Sequence, residues 1–465
     1  MDGEVDFGER LGVPPRLVAS VALGTLLNPL NSSMIAVAVV TIQRHFEVGI
    51  ATATWLLSGF YLSAAVGQPL MGRLVDLYSP RRLFVAGLAL VLVASVAAPF
   101  APGFWWLVAA RAVQGIGSSA AFPAALVIFR AAAAPDRPPA GALAVLGVTA
   151  STSAALGPVL GGVLVALAGW QAVFLVNVPM TIAGIATALV VLPRSEARRR
   201  RSVRETLAGL DVPGIVLFAT AITTLLMVLL SVAEQPLWWL AAVTVVAAVL
   251  LVLRERAVGA PFLDVRGLAG NRALRSVLLQ QGVVNLVFYT VFFGLPIWLE
   301  AVRGLPASSV GPLMLPLTIV SLLVTPLAAR TIRRSGPRPA LVTGSVLVLV
   351  ASLGVQLLEV DTPVAVLLMV TVALGIPNGL NSLGLQTGLY AASPPERTGG
   401  SGGLFQTFRY LGAILASSLL GIVLERDLST AGLHRAGVVI TVAAALLVVL
   451  ALRLPRDLGR PAQPR

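Results

Sequence analysis

The chain contains no cysteine and no lysine, and only 11% of its 465 residues are charged. Without cysteine there is no disulfide, no thiolate nucleophile and no zinc–thiolate site. Without lysine there is no phosphate-binding loop of the G-x-x-x-x-G-K type, which excludes a Walker-type ATPase. Histidine is almost as scarce. His45 and His434 each lie near a helix end with no acidic cluster beside them, so neither a metal site nor a cofactor is expected. Soluble domains carry roughly 25% charged residues; this shortage, with 57% hydrophobic residues and a mean hydropathy of +0.91, describes a chain built for lipid.

The 20 acidic residues are also absent where they would matter most, because they sit in loops or at helix ends, with Glu300 and Asp211 nearest to membrane depth. No nucleophile triad is visible, and no enzyme is expected. All 33 basic residues are arginine, and the net charge is +13. In a soluble protein that balance would point to nucleic acid. Here the arginines fall in loops between apolar runs, so the partner is the lipid bilayer and nucleic acid is not expected.

Crossing a hydrocarbon core of about 30 Å takes about 20 apolar residues at 1.5 Å each. Such windows occur at about 17–40, 52–71, 82–100, 104–129, 141–168, 171–192, 211–231, 236–253, 274–299, 308–329, 339–358, 363–390, 402–424 and 433–453. The spacing predicts an all-α membrane protein of fourteen transmembrane helices. A tail (1–16) precedes a six-helix bundle (17–192), a basic connector (193–210), an inserted helix pair (211–253), a polar connector (254–273), a second six-helix bundle (274–453) and a tail (454–465). The acidic N-terminus lacks the basic region of a cleaved signal, so the first helix is expected to be retained.

Arginine placement tests the count, since a missed helix would reverse the side of every later loop. With the N-terminus inside, 27 arginines fall on cytoplasmic segments, only Arg44, Arg303, Arg426 and Arg435 fall outside, and Arg111 and Arg409 lie within helices. Both termini are therefore expected in the cytoplasm of a cell, as in a bacterial inner membrane. Trp105, Trp106, Trp238 and Trp239 at outer helix ends fit interfacial anchors.

The six-two-six arrangement predicts two repeated halves with the solute site between them. GRLVDLYSPRR (72 to 82) after the second helix is echoed by RTIRRSGPR (330 to 338) at the equivalent place in the second half, without a match for Asp76. The first segment resembles the loop signature of the major facilitator superfamily, with Gly72, Arg73, Asp76, Arg81 and Arg82 matching and Pro80 where that family usually has glycine. The resemblance implies that the glycine lets two helices approach, while the acid pairs with arginine and a helix N-terminus to latch the cytoplasmic side. RAVQGIG (111 to 117) is similar to the superfamily's R-x-x-Q-G-x-G signature, and GPVLGG (157 to 162) to its antiporter signature. Gly157, Gly161 and Gly162 remove side chains where helices pack, and Pro158 removes a backbone bond and permits a bend.

WQAVFLVNVP (170 to 179) and LNSSMIAVAVV (30 to 40) resemble segments of the fourteen-span drug:proton antiporter family. The resemblance covers about residues 17 to 453 and implies export of amphipathic or drug-like small molecules, by a monomer, in exchange for protons. One departure stands out: where that family usually has an intramembrane Asp, this chain has Asn31, which cannot titrate. Arg111 falls at a similar depth. It reads as a substrate or site-organising residue that could bond Asn31, or as a structural arginine held by backbone, Asn31 or Gln114. Arg409, in a FRYLGA segment common in the family, can snorkel and reads as structural ahead of substrate-binding.

Gln281, Asn285 and Tyr289 recur at i, i+4 and i+8 on one helix face, flanked by Phe288 and Phe292, and Asn378 and Asn381 follow Pro377. With Ser58 and Tyr61 they outline a polar cavity without negative charge; the alternative for each amide is a helix–helix hydrogen bond. Three functions remain open. They are proton-driven export, uncoupled facilitation or exchange of a specific solute with anions among the candidates, and a receptor or scaffold without turnover.

Overall fold

The computed structural model describes residues 11–53, 55–134, 138–193, 211–231, 236–259, 261–305, 307–424, 428–456 and 458–459. The described residues form helices and short turns, and no strand occurs among them. In lipid the backbone must satisfy its own hydrogen bonds, and a helix does so within one segment. Most of the basic connector, the ends of both tails, and the predicted turn around Glu234 lie outside the described residues.

The helices are α1 (Pro15–His45), α2 (Trp55–Leu77), α3 (Pro80–Ala97), α4 (Phe104–Ser118), α5 (Ala121–Ala132), α6 (Ala140–Ala168), α7 (Asn177–Val191), α8 (Val212–Ser231), α9 (Trp238–Ala257), α10 (Arg272–Ala301), α11 (Ala307–Ser335), α12 (Pro337–Val355), α13 (Val364–Ala392), α14 (Thr398–Leu424) and α15 (Thr430–Leu452). Several run past their apolar windows, because a helix that leaves lipid keeps its backbone bonds in water: α11 continues through Arg333 and Arg334, and α2 through Arg73 and Asp76. The window at 104–129 divides into α4 and α5 at Ser119 and Ala120, where Pro123 withholds its N–H from the carbonyl four residues earlier. Pro179 does the same just after the short turn Gln171–Leu175.

Among the described residues, twelve helices are long and apolar enough to cross a membrane, α4 and α5 counting as one. A thirteenth is α6, taken as one span although bent by 41° between Ser153 and Leu156. Pro158 denies a hydrogen bond to the carbonyl within that break. α2 is long enough, but its Gln68, Arg73 and Asp76 lower its apolarity, and it is not among the twelve.

The chain divides into two compact units. The first comprises residues 1–135, 141–215 and 393–407; the second comprises 136–140, 216–392 and 408–465. Inside the first, α2 and α3 pack on α4, and α7 packs on α1 and α3; inside the second, α11 and α12 pack on α13, and α15 packs on α10 and α12. The same internal plan is thus built twice. Matching side chains hold it. Arg81, beside Pro80 at the start of α3, donates to the carbonyl of Leu189 near the end of α7. Arg338, beside Pro337 at the start of α12, donates to the carbonyl of Leu452 at the end of α15, at 3.0 Å. Each cation meets orphan carbonyls at a negative helix end. Ser95 and Ser352, at matching places on α3 and α12, bond back to Val91 and Val348.

The inserted α9, and α8 from Val216 onward, lie in the second unit. Thr224 and Thr244 join them hydroxyl to hydroxyl at 2.7 Å, and Ser418 of α14 donates to Leu229 of α8 at 2.6 Å. Around both units the apolar side chains face outward, with Leu167 and Val190 more than four-fifths exposed. A helix apolar on every side belongs in lipid.

Candidate functional site

In the first unit the polar residues form two buried networks. Arg111 on α4 is 1% exposed. Its Nε donates to the carbonyl of Leu56 at 3.2 Å, its Nη1 to Oε1 of Gln114 at 2.9 Å, and its guanidinium lies 4.3 Å from the centre of the Phe60 ring. Gln114 in turn donates to Ser95 at 2.9 Å, so α2, α4 and α3 are stitched together through one cation. Cation–π contact adds to the hydrogen bonds in this dry setting. Asn31, 2% exposed, accepts from Nδ2 of Asn177 on α7 at 2.8 Å. Asn177 is the partner that sequence reasoning passed over, although a single amide in an otherwise apolar helix was the available signal. Ser58 and Tyr61 of α2 are half-buried.

The antiporter-like segment of α6 crosses α1. A Cβ on Gly157 would fall 1.7 Å from Oγ of Ser33, and one on Gly161 would fall 2.8 Å from the carbonyl of Met34, whereas one on Gly162 would meet only Val37 at 4.0 Å. Backbone contact requires two of the three glycines.

Asp76 lies near the end of α2, beyond the apolar stretch 52–71. Its carboxylate accepts from the first free amides of α14, Oδ1 from Gly399 N and Oδ2 from Gly400 N, both at 2.7 Å. Such amides are unpaired inside the helix and carry its positive pole, so a carboxylate is their natural cap. The approach needs bare backbone: a Cβ on Gly72 would sit 2.3 Å from the carbonyl of Gly399, and one on Gly399 would sit 2.5 Å from that of Gly72. Thr407 donates to Ala65 at 3.1 Å further along the same crossing. Burial raises the Asp76 carboxyl from the ordinary 3.8 to about 6, against the lowering effects of the Gly400 and Gly399 amides and of Arg73 and Arg397. Arg82 and Arg81 begin α3, where Arg81 serves the α7 end instead.

In the second unit α10 and α14 touch and then part. A Cβ on Gly412 would lie 2.3 Å from the carbonyl of Gly282, so the backbones meet there. Toward their C-terminal ends the two helices leave a cavity of about 710 Å³ lined by Phe292, Phe293, Pro296, Ile297, Ser417, Leu420, Gly421 and Leu428. On α10, Gln281, Asn285 and Tyr289 recur at every fourth residue along one side, and each further step of four turns about 40° onward, so that Phe293 and Ile297 come to lie exposed. On α14 the same drift carries the series from the half-buried Arg409 to the exposed Ser417. Phe293 stacks on Tyr289 with ring centres 5.5 Å apart, Phe292 stacks on Phe288 at 5.4 Å, and Arg409 reaches the Tyr289 hydroxyl at 3.5 Å. Asn285 donates back to the Gln281 carbonyl at 2.8 Å. Asn378 donates to Ser321 of α11 at 3.0 Å, and the buried Asn381 amide packs against Gly344 of α12. None of Gln281, Asn285 and Tyr289 lines this cavity; of its lining the sequence singled out Phe292, while Ile297, Leu420 and Leu428 read as ordinary lipid-span residues.

The model of the Major Facilitator Superfamily matches residues 21–417. The chain belongs to that superfamily. This major-facilitator protein is 36% identical over 436 residues to the MFS-type transporter YwoD of Bacillus subtilis (strain 168), covering 94% of this chain and 96% of that one. It is 29% identical to the tetracenomycin C resistance and export protein of Streptomyces glaucescens, over 89% of this chain and 76% of that one. The structure of the proton:xylose symporter XylE aligns with a TM-score of 0.66 at 13% identity, over 96% and 97% of the two chains, and shows that the fold is shared. The protein is thus a multi-pass membrane transporter of small molecules and not an enzyme. Among its described residues no group of three or more His, Asp and Glu could hold a metal.

Proposed function

We propose that this transporter exports amphipathic or drug-like small molecules by alternating access, in exchange for protons, across a bacterial inner membrane. The observation that carries the reading is the aromatic cavity between α10 and α14, large and apolar enough for a ring-bearing molecule. Each 100 Å² of apolar ligand surface covered there contributes about 2.5 kcal/mol. Similarity to a resistance and export protein supports the direction of transport. In this reading α2 and the bent α6 complete fourteen crossings, both termini are cytoplasmic, and the protein works as a monomer. The hold of Asp76 on α14 is then a cytoplasmic latch, and Gly157, Pro158 and Gly161 allow α6 to pivot on α1.

Proton exchange needs a group that titrates. Asn31 cannot, so another acid must carry the proton: Glu300 and Asp211 lie nearest to membrane depth, and Asp76 is the acid held against α14. The test is flux in proteoliposomes with imposed pH gradients. Substrate accumulation driven by an acid interior, with protons moving the other way, is the expected result; equal flux without a gradient would favour the second reading. That reading, an uncoupled exchanger of a specific solute, is supported by the neutral Asn31–Asn177 pair where the related family has an acid.

A further inference from the structure

We propose that the exposed arginines where α9 gives way to α10, namely Arg256, Arg266, Arg272 and Arg275, form a docking surface for an anionic phospholipid of the surrounding bilayer. The surface stands apart from the α10–α14 cavity and does not depend on what the transporter carries.

On α9, Val246, Val249 and Leu253 recur in steps of three and four and are each more than half exposed, so this face of the helix meets lipid. Arg256, exposed as well, is the next member of the series. On α10 the exposed Leu279 is preceded at the same kind of spacing by Arg275 and Arg272, both exposed. Each stripe therefore changes from aliphatic to cationic within about one helical turn. A guanidinium placed there stands at the level of the lipid phosphates, its stem lying along the apolar surface.

The connector draws the two stripes together. The short turn Val265–Gly270 lies between the helices, and its exposed Arg266 donates through Nη2 to the carbonyl of Arg256. A guanidinium has five N–H donors and does not deprotonate, so that bond leaves the charge in place. Phe262 sets its ring edge against Phe218 of α8, with ring centres 5.6 Å apart, and so anchors the connector to the inserted pair. No carboxylate of a described residue pairs with any of the four arginines. Of the local acids, Glu255 is 2% exposed, and Asp264 caps its own turn by accepting from the Gly267 amide at 2.9 Å. What remains is a surface of one sign at the edge of the hydrocarbon. Guanidinium groups suit phosphate oxygens, and charge-assisted bonds of this kind are the strong ones. A lipid supplies the phosphate and also acyl chains that continue along Leu253 and Leu279; a soluble anion matches only the first. The headgroup would bridge the last turn of α9 and the first of α10.

The experiment titrates the full chain, purified in dodecyl maltoside, with dioleoyl phosphatidylglycerol or with zwitterionic dioleoyl phosphatidylcholine, and reads binding by native mass spectrometry. Phosphatidylglycerol should bind at least about tenfold tighter, since each arginine near a headgroup adds to the attraction. Combining Arg256→Gln, Arg266→Gln, Arg272→Gln and Arg275→Gln should make the two lipids bind alike while phosphatidylcholine binding is kept, which also reports an intact fold. Arg266→Gln alone should weaken phosphatidylglycerol binding about fivefold, the equivalent of about 1 kcal/mol per cation. Lysine at the same four positions should retain most of the preference. The same number of changes elsewhere, Arg330→Gln, Arg334→Gln, Arg453→Gln and Arg456→Gln, should leave it intact. Equal binding of both lipids to the native protein, a preference that survives the first four changes, or one lost equally with the second four would overturn the proposal. So would displacement of phosphatidylglycerol by inorganic phosphate, which would assign the surface to a soluble anion.

Discussion

At the scale of single residues, the first unit decides between the partners the sequence left open for Arg111, a backbone carbonyl, Asn31 or Gln114. Asn31 and Arg111 are both deeply buried, but Asn31 bonds Asn177 while Arg111 serves Leu56, Gln114 and the Phe60 ring. Depth follows from counting along a helix, whereas a partner depends on which faces the helices turn to each other. Arg111→Met should therefore act through stability. It strands the Gln114 carbonyl oxygen and the Leu56 carbonyl, and hydrogen bonds to charged groups are worth about 1.5–3 kcal/mol each. A thermal-shift assay should show a clear drop in the unfolding midpoint; a fully stable but inactive variant would return Arg111 to the transport path.

Asp76 gives the pH prediction. Held against α14 the carboxyl titrates near 6; released to water it returns toward the ordinary 3.8. The held form therefore binds the proton more tightly. Its advantage is complete below about pH 4 and fades as the pH rises through about 6. Hydrogen exchange at the Gly399 and Gly400 amides should accordingly be slower at pH 5 than at pH 8, after correction for intrinsic rates. Asp76→Asn should abolish that difference and speed exchange at both pH values, because an amide offers only one acceptor for two donors. Faster corrected exchange at pH 5 in the native protein would reverse the sign argued here.

Among the elements, the crossing of α6 on α1 makes a graded claim. Gly157 and Gly161 abut backbone and Ser33, and Gly162 does not. Overpacking typically costs about 1–3 kcal/mol and here also obstructs sliding. Gly157→Val and Gly161→Val should lose transport and lower the melting point, while Gly162→Ala should behave as wild type. Equal damage at all three would refute the geometry. The glycine motif was legible in sequence; which of its members carry the contact was not, since that depends on helix rotation. Helix ends show the same division. Apolar windows located each segment, but α2 and α11 extend through charged residues, because hydropathy marks the lipid boundary and hydrogen bonding sets where a helix stops.

For the molecule as a whole, the repeat was readable from the loop echo, and the structure explains it through Arg81 and Arg338, each closing the last helix of its own unit. Of the cavity wall Phe292 alone was singled out, since Phe293, Ile297 and Leu420 differ in no way from residues that face lipid. The fourteen-crossing topology is open to a direct check. Reporters fused after Arg204 or at Arg465 should read cytoplasmic, and those near Glu234 or Glu359 external; a single reversal would break the count.

One feature of α14 reaches further than its hydrogen bonds. Its first turn is held by Asp76, and some 18 residues on, Ser417 and Leu420 line the cavity. At 1.5 Å per residue the two points are about 27 Å apart along one rod. A stiff rod is a lever. A ligand that tilts the cavity end by about 5° would carry the other end about 2 Å, enough to part bonds of 2.7 Å without any signal passing from side chain to side chain. Occupancy and latch would then be two readings of a single angle, and a glycine pair placed in mid-helix, at Leu411→Gly and Ala413→Gly, should uncouple them while leaving each intact.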